Sequence, residues 1–226
     1  MSEKFVIIVA GGKGIRTGWD LPKQFLPLNG LPVLMHTIKA FYDYDPTMGI
    51  ILVLPKDYTD HWLRLCSDYK FSISCRIVSG GATRFESVRR GLEKVERGTL
   101  TGVHDGVRPL IDPQLIAKLY ETAATQKGAY PVIPVVDSIR ELDSEGESRS
   151  VGRSNYRLVQ TPQVFWSDIL IDAYNREYQT NFTDDVSVVE AAQTIRPVMV
   201  EGSPENIKIT AAVDLMIAET LMKCRI

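Results

Sequence analysis

The sequence predicts a three-layer α/β fold on a mostly parallel sheet, and three observations carry that prediction. The run Phe5-Val6-Ile7-Ile8-Val9-Ala10 is apolar, largely β-branched and ends at Gly11-Gly12, the pattern of a strand covered on both faces. Gly49-Ile50-Ile51-Leu52-Val53-Leu54 repeats that pattern. Around and after these runs, helically spaced segments alternate with short apolar ones, the rhythm of successive βαβ units. The 226 residues suit one elaborated domain, 1–226, against a norm of ~150 residues. That length buries a large core without staples.

After a loop through Pro27, Val33, His36, Ile38 and Phe41 recur near helical spacing over 32–42, and Pro32 suits the first turn. The strand over 49–54 follows, then a helix over 57–69, a strand over 76–79, a helix over 83–97 and a short strand over 102–104. Asp112-Pro113 has the chemistry of an N-cap followed by the first helical residue, opening a helix to 124. A strand over 129–136 returns.

The rhythm changes across 136–161. Asp143-Ser144-Glu145-Gly146-Glu147-Ser148 is a polar turn cluster between Ser138-Ile139-Arg140-Glu141-Leu142 and Tyr156-Arg157-Leu158-Val159, which predicts a β-hairpin arm. A lone hairpin is marginal in water, so the arm is expected to pack on something, a second subunit first among the candidates. Helices over 167–178 and 184–192, a strand over 196–200 and a helix from 211 close the chain. No repeat or linker divides it.

Composition narrows the function. Charged residues make up 24% and apolar ones 44% of the chain, which excludes disordered and collagen-like classes. The net charge of −2 argues against a general nucleic-acid or membrane-surface binder, since both need a basic surplus. Any anionic ligand must be met by local basic residues. Cys66, Cys75 and Cys224 are odd in number and widely spaced, so neither a disulfide framework nor a structural zinc site is expected. The run at 5–10 is far short of the ~18 residues of a membrane span and lacks a signal-peptide pattern. A reducing, cytoplasmic setting is expected.

Directly after the first strand stands Ala10-Gly11-Gly12-Lys13-Gly14-Ile15-Arg16, followed by Pro22-Lys23-Gln24. Glycines there let backbone N–H groups approach an anion, and Arg16 and Lys23 can neutralise phosphate charge. The plainer alternative is a glycine turn with solvated basic residues. A dinucleotide fingerprint starting at Gly12 would need glycine where Thr17 stands, and a P-loop starting at Gly11 or Gly12 meets Arg16 or Thr17, so both are set aside.

This loop resembles that of sugar-nucleotidyltransferase-like proteins, and the remaining motifs sharpen the resemblance. Gly80-Gly81-x-x-Arg84-x-x-Ser87-Val88, His104-Asp105-x-x-Arg108-Pro109, Thr161-Pro162-Gln163, Thr183-Asp184-Asp185 and Glu201-Gly202-x-x-x-Asn206-Ile207-Lys208-Ile209-Thr210 follow in order. Together they resemble the 2-C-methyl-D-erythritol 4-phosphate cytidylyltransferase family over nearly the whole chain. The resemblance implies a Rossmann-like nucleotidyltransferase fold and attack by the methylerythritol phosphate oxygen on the α-phosphorus of CTP, releasing pyrophosphate. It also implies Mg²⁺ as cofactor.

On that resemblance, Arg16, Lys23 and Lys208 are the catalytic cations, the first two stabilising the pentacoordinate α-phosphate. Such transfer needs positioning and charge stabilisation more than covalent help. Ala10, Gly11, Gly12 and Gly14 are expected to hold the nucleotide, with Gly80, Gly81 and Ser87 against cytosine. Asp105, Arg108, Ser138, Arg153 and Thr161 are the implied acceptor-binding residues, with arm residues coming from the partner of a homodimer. Asp105 is also the Mg²⁺ ligand, since a hard cation needs oxygen. A turn or cap role is its plainer alternative, and for Arg153 a solvated hairpin arginine. His104 is read as a packed strand-end histidine outside the chemistry.

Departures from the family pattern are Ser138 for threonine, Thr17 for methionine, Trp19 for a small polar residue, and Gly106-Val107 for two alanines. None removes a charge the chemistry needs. Ribitol 5-phosphate cytidylyltransferases carry the same nucleotide motifs. Glu205-Asn206-Ile207-Lys208 and the short connection between the strand after Cys75 and Gly102 favour the methylerythritol acceptor. A non-catalytic CTP-binding module and a structural assembly protein are the other classes. Retention of Arg16 and Lys23 speaks against the first, and the glycine loops against the second.

Overall fold

The computed structural model describes residues 3–11 and 21–224. Its chain runs β1 (Lys4–Val9), β2 (Pro27–Leu28), β3 (Leu31–Pro32), α1 (Val33–Tyr44), β4 (Gly49–Leu54), α2 (Thr59–Asp68), β5 (Arg76–Ser79), α3 (Arg84–Leu92), β6 (Leu100–Asp105) and α4 (Pro113–Gln126). It continues with β7 (Gly128–Pro134), β8 (Ile139–Leu142), β9 (Ser148–Val151), β10 (Arg157–Val159), β11 (Gln163–Trp166), α5 (Ser167–Tyr174), α6 (Asp185–Ala191), β12 (Val198–Glu201) and α7 (Ala212–Cys224).

The central sheet has the order β10-β7-β11-β6-β1-β4-β5, with β12 on the far side of β7. β5, β4, β1 and β6 pair in parallel, as do β7 and β12, while β11 and β10 run against their neighbours. The sheet is therefore mostly parallel, as predicted. Alternation along β1 explains the layering: Val6 and Ile8 face a layer with Leu34, Ile38, Phe41, Ile116 and Leu119 of α1 and α4. Phe5 and Ile7 face the opposite layer, with Phe85, Val88, Leu170 and Val189 of α3, α5 and α6. A smaller cluster of Leu28, Val33, Val107, Ile209 and Ala218 seats α7 beside the sheet end. No helix among the described residues is long and apolar enough to cross a membrane.

Local chemistry sets the helix starts. Asp112 caps α4 by accepting from the Gln114 N–H, with Pro113 next, as its sequence predicts. Thr83 caps α3 by accepting from the Glu86 N–H. Several predicted helices are shorter than expected: α3 ends at Leu92 and α5 at Tyr174.

The arm differs from its prediction in register. The strand that returns along β8 is β9, with Ile139 opposite Val151 and Leu142 opposite Ser148, whereas 157–159 joins the central sheet against β7. The physical reason is the tightness of the turn. The Asp143 carboxylate accepts from the N–H groups of Glu145 and Glu147 at 2.9 Å each, closing the loop at once, and turn geometry fixes register.

Candidate active site

Parallel sheets present their strand ends to ligands, and here the ends of β1, β4, β5 and β6 are tied together. Ala10 N–H donates to Val53 O at 2.9 Å, Gly106 N–H to Val9 O at 2.9 Å, and Gly80 N–H to Leu54 O at 2.7 Å. A Cβ on Gly106 would come within 2.9 Å of the Ala10 Cβ, so with β1 and β6 this close an alanine there would make one of them shift. The turn into α3 is as close: a Cβ on Gly81 would sit 2.3 Å from Glu86 Cβ. Ser87 Oγ accepts from the Gly81 N–H at 3.1 Å and donates to Thr83 O at 2.9 Å.

Two cavities open at this edge. The first, about 270 Å³, is lined by Ala10, Gly11, Lys23, Gly81, Ser87 and their neighbours. The second, about 260 Å³, is lined by Arg108, Gln160, Thr161, Thr183 and Asp184 among others. Arg84, Asp105 and Lys208 line both and form their common wall.

Asp105 stands at the end of β6 and is almost fully buried. Its Oδ2 lies 2.9 Å from Lys208 Nζ and 3.4 Å from Arg108 Nε, and its Oδ1 lies 3.7 Å from Arg84 Nε. Burial alone would push the Asp105 carboxyl up, but Arg84, Lys208 and Arg108 outweigh it and hold the group well below the usual carboxylate range.

Arg84 is itself anchored from behind. Its Nη1 and Nη2 donate to Asp185 Oδ1 and Oδ2 at 3.0 and 2.7 Å, a two-pronged pair of the kind that fixes a guanidinium plane. Asp185 is fully buried and also accepts from the Tyr174 hydroxyl at 2.6 Å. Burial opposes the charge on Arg84, yet Asp185 keeps it protonated far above its ordinary range. Gln163 clips the same turn to β11: its Oε1 accepts from the Val186 N–H at 2.9 Å and its Nε2 donates to Asp184 Oδ2 at 3.0 Å. The wall is thus a chain, Tyr174–Asp185–Arg84–Asp105–Lys208, drawn from α5, α6, α3, β6 and the segment after β12.

Two cavities that share one charged wall suit a reaction joining two anionic molecules, and comparison with known proteins agrees. The family model for 2-C-methyl-D-erythritol 4-phosphate cytidylyltransferase matches residues 4–224. The chain belongs to this family. A cytidylyltransferase of that name from Azobacteroides pseudotrichonymphae is 51% identical over 98% of this chain and 100% of its own length. The one from Bacteroides thetaiotaomicron is 51% identical over 97% and 100%. Among solved structures, the Thermus thermophilus cytidylyltransferase superposes with a TM-score of 0.78 at 31% identity, covering 99% of this chain and 100% of that one. The Anaerococcus prevotii 4-diphosphocytidyl-2C-methyl-D-erythritol synthase does so with 0.82 at 26%, covering 98% and 99%.

For this cytidylyltransferase-family chain, most of the singled-out residues gather at the two cavities. Ala10, Gly11, Lys23, Gly81 and Ser87 line the first, Arg108 and Thr161 the second, and Asp105 and Lys208 both. Gly80 holds the turn behind Gly81. Ser87 is 4% exposed, with its hydroxyl engaged inside that turn. Gly12, Gly14 and Arg16 lie outside the described residues, as do Thr17 and Trp19. Ser138 and Arg153 are exposed on the arm and line neither cavity, and an Arg153 Nη1 donates to Val136 O. Sequence reasoning missed the work of Arg84, Asp185, Thr183 and Asp184. All four stood inside quoted motifs, so their signal was present without a role attached.

Proposed function

We propose that the chain transfers the cytidylyl group of CTP to 2-C-methyl-D-erythritol 4-phosphate, giving 4-diphosphocytidyl-2-C-methyl-D-erythritol and pyrophosphate in isoprenoid precursor synthesis. The acceptor's phosphate oxygen forms the new bond to the α-phosphorus while the bond from that phosphorus to the bridging oxygen of pyrophosphate breaks. The observation that carries the reading is the common wall: Arg84, Asp105 and Lys208 stand between a glycine-lined cavity and a cavity rich in hydroxyl and charged side chains.

In this reading CTP occupies the first cavity, with Ala10 and Gly11 at its phosphates and Gly80, Gly81 and Ser87 at cytosine. Lys23, Arg16 and Lys208 meet the charge that grows on the α-phosphate, an interaction stronger in the transition state than in the ground state. Arg108 and Thr161 receive the acceptor in the second cavity. The arm of one protomer carries Ser138 and Arg153 to the second cavity of its partner in a homodimer. Val136 and Leu142 at the arm and Leu158 on β10 beside it, exposed at 74%, 67% and 52%, support this edge as a contact surface. The three cysteines, all free thiols, support a cytoplasmic setting.

The donor set fits Mg²⁺. Among the described residues no group of three or more His, Cys, Asp or Glu side chains could hold a metal unaided, and Asp105 is the carboxylate lining the first cavity. Mg²⁺ at a nucleotide characteristically takes one or two carboxylates and completes its shell with phosphate oxygens and water. Asp105 Oδ1, 3.7 Å from Arg84 Nε, is the oxygen to offer. When bound, the ion supplies Lewis-acid neutralisation of triphosphate charge.

The test is pyrophosphate release from CTP and Mg²⁺ with methylerythritol 4-phosphate, ribitol 5-phosphate and no acceptor in parallel. Turnover with methylerythritol phosphate alone is expected. Turnover with ribitol phosphate alone would move the chain to polyol-polymer precursor synthesis, and none with either would leave a CTP-binding module.

A further inference from the structure

His104 sits one residue before Asp105 and is fully buried. Its two ring nitrogens have different partners. Nε2 lies 3.2 Å from the Arg108 carbonyl oxygen and Nδ1 lies 3.1 Å from Thr161 Oγ1. A carbonyl only accepts, so Nε2 carries the proton. The ring is fully buried and its two partners are a carbonyl and a hydroxyl, neither of them an anion, so it sits as the neutral imidazole, which when protonated at Nε2 presents a bare lone pair at Nδ1. The Thr161 hydroxyl must therefore donate to His104.

The same hydroxyl is engaged a second time. The backbone N–H of Asp105 donates to Thr161 Oγ1 at 3.0 Å. A hydroxyl has one proton and two lone pairs, so the proton and one lone pair are committed and one lone pair remains. Thr161 lines the second cavity.

We propose that His104 is a positioning residue that sets the polarity of Thr161, leaving its hydroxyl only an acceptor toward the second cavity, selective for a donating hydroxyl of a polyol phosphate. This rests on the assignment of the acceptor to the second cavity. A fully ionised phosphate oxygen has no proton to give, so Thr161 repels the phosphate end and fixes which way round the polyol lies. The phosphate is left to the cations that line the same cavity, Lys208 and Arg108. Specificity built on a buried hydrogen-bonding group discriminates strongly, because the wrong partner leaves it unpaired.

The experiment uses the full chain and acceptor phosphates in which single hydroxyls are replaced by fluorine, which cannot donate. Wild-type turnover of the unmodified acceptor is scored first. Its absence sinks the functional reading, and the polarity is then read from calorimetric binding of the same compounds with the same expected ratios. In wild type one fluorinated acceptor is expected to lose about tenfold in affinity, the size of one hydrogen bond. His104→Gln keeps a donor for the Arg108 carbonyl but leaves nothing at Nδ1, freeing the Thr161 proton to turn toward the cavity. The penalty for that acceptor should fall to about threefold or less, with KM for CTP unchanged. His104→Asn, whose amide oxygen can stand near Nδ1, should keep the wild-type ratio. Thr161→Val should abolish the discrimination, and Thr161→Ser should retain it. An unchanged penalty in His104→Gln, or a parallel rise in KM for CTP in the same variant, would overturn the proposal and leave His104 a packing residue.

Discussion

The wall around Asp105 and the arm formed by β8 and β9 use the same pair chemistry in opposite surroundings. Asp185 is buried completely under Arg84, while on the arm Arg149 and Glu141 meet with side chains 78% and 47% exposed. An exposed pair gains little because water screens it, whereas removing one member of a buried pair strands a desolvated charge. The wall therefore belongs to the stability of the protomer. The arm is stable only as far as its short turn and whatever it packs against allow.

The sharpest way to break this comparison is Asp185→Asn. Loss of the countercharge for Arg84 should destabilise the protein by about 3–5 kcal/mol, read as a lowered urea midpoint, and should lower kcat through the unmoored Asp105. A change under about 1 kcal/mol would mean that the wall behaves like the arm. Next in size, Lys23→Ala should lower kcat by about two to three orders of magnitude while raising KM for CTP far less, the mark of an interaction made mainly in the transition state. Unchanged kcat would remove Lys23 from the chemistry.

A third prediction concerns acid. His104 has its folded pKa lowered from 6.5 to about 3, so between these values the unfolded chain binds the proton and the folded one does not. Stability must then fall as pH drops below 6.5, with a slope of up to about 1.4 kcal/mol per pH unit from this group. In metal-free buffer His104→Asn should flatten that slope, measured by urea unfolding at a series of pH values. Asp105 works at the other end of the scale. Its folded pKa is depressed, so its stabilisation is complete above the unfolded value and is lost as pH falls through the folded one.

On the arm, Leu142→Asp, at a position 67% exposed, should leave the protomer's stability nearly unchanged while shifting the mass in sedimentation from that of the proposed dimer to that of a monomer, and an unaltered mass would place the interface elsewhere or leave the chain a monomer. Smallest of all, Glu141→Ala should change unfolding stability by less than about 0.5 kcal/mol.

The same contrast explains what could be read in advance. β1 and β4 were legible because burial on both faces writes an unbroken apolar run. The start of α4 was legible because Asp112-Pro113 is local chemistry. β11 was not, since four residues after Pro162 carry no usable periodicity. The β2–β3 hairpin is absent from the sequence expectation, although Asn29-Gly30, with φ of 45° and 88°, is the turn pair that favours it. At the site, Asp105, Arg108, Thr161 and Lys208 were found through motifs, each a local string. The bond between Arg84 and Asp185 joins residues 101 positions apart, and neither string names the other. From sequence alone His104 reads as a packed strand-end residue, because a buried histidine is ordinarily just that. Only its two partners show that it dictates the direction of a neighbour's hydrogen bond.

One carboxylate facing two cavities has a thermodynamic consequence. Whatever anion or cation arrives on one side changes the field at Asp105 that the other side meets, so the two ligands cannot bind independently. The factor by which CTP alters affinity for the acceptor must equal the factor by which the acceptor alters affinity for CTP, and the sign of that coupling is set where Lys208 divides its hydrogen bonds between the carboxylate and an incoming phosphate.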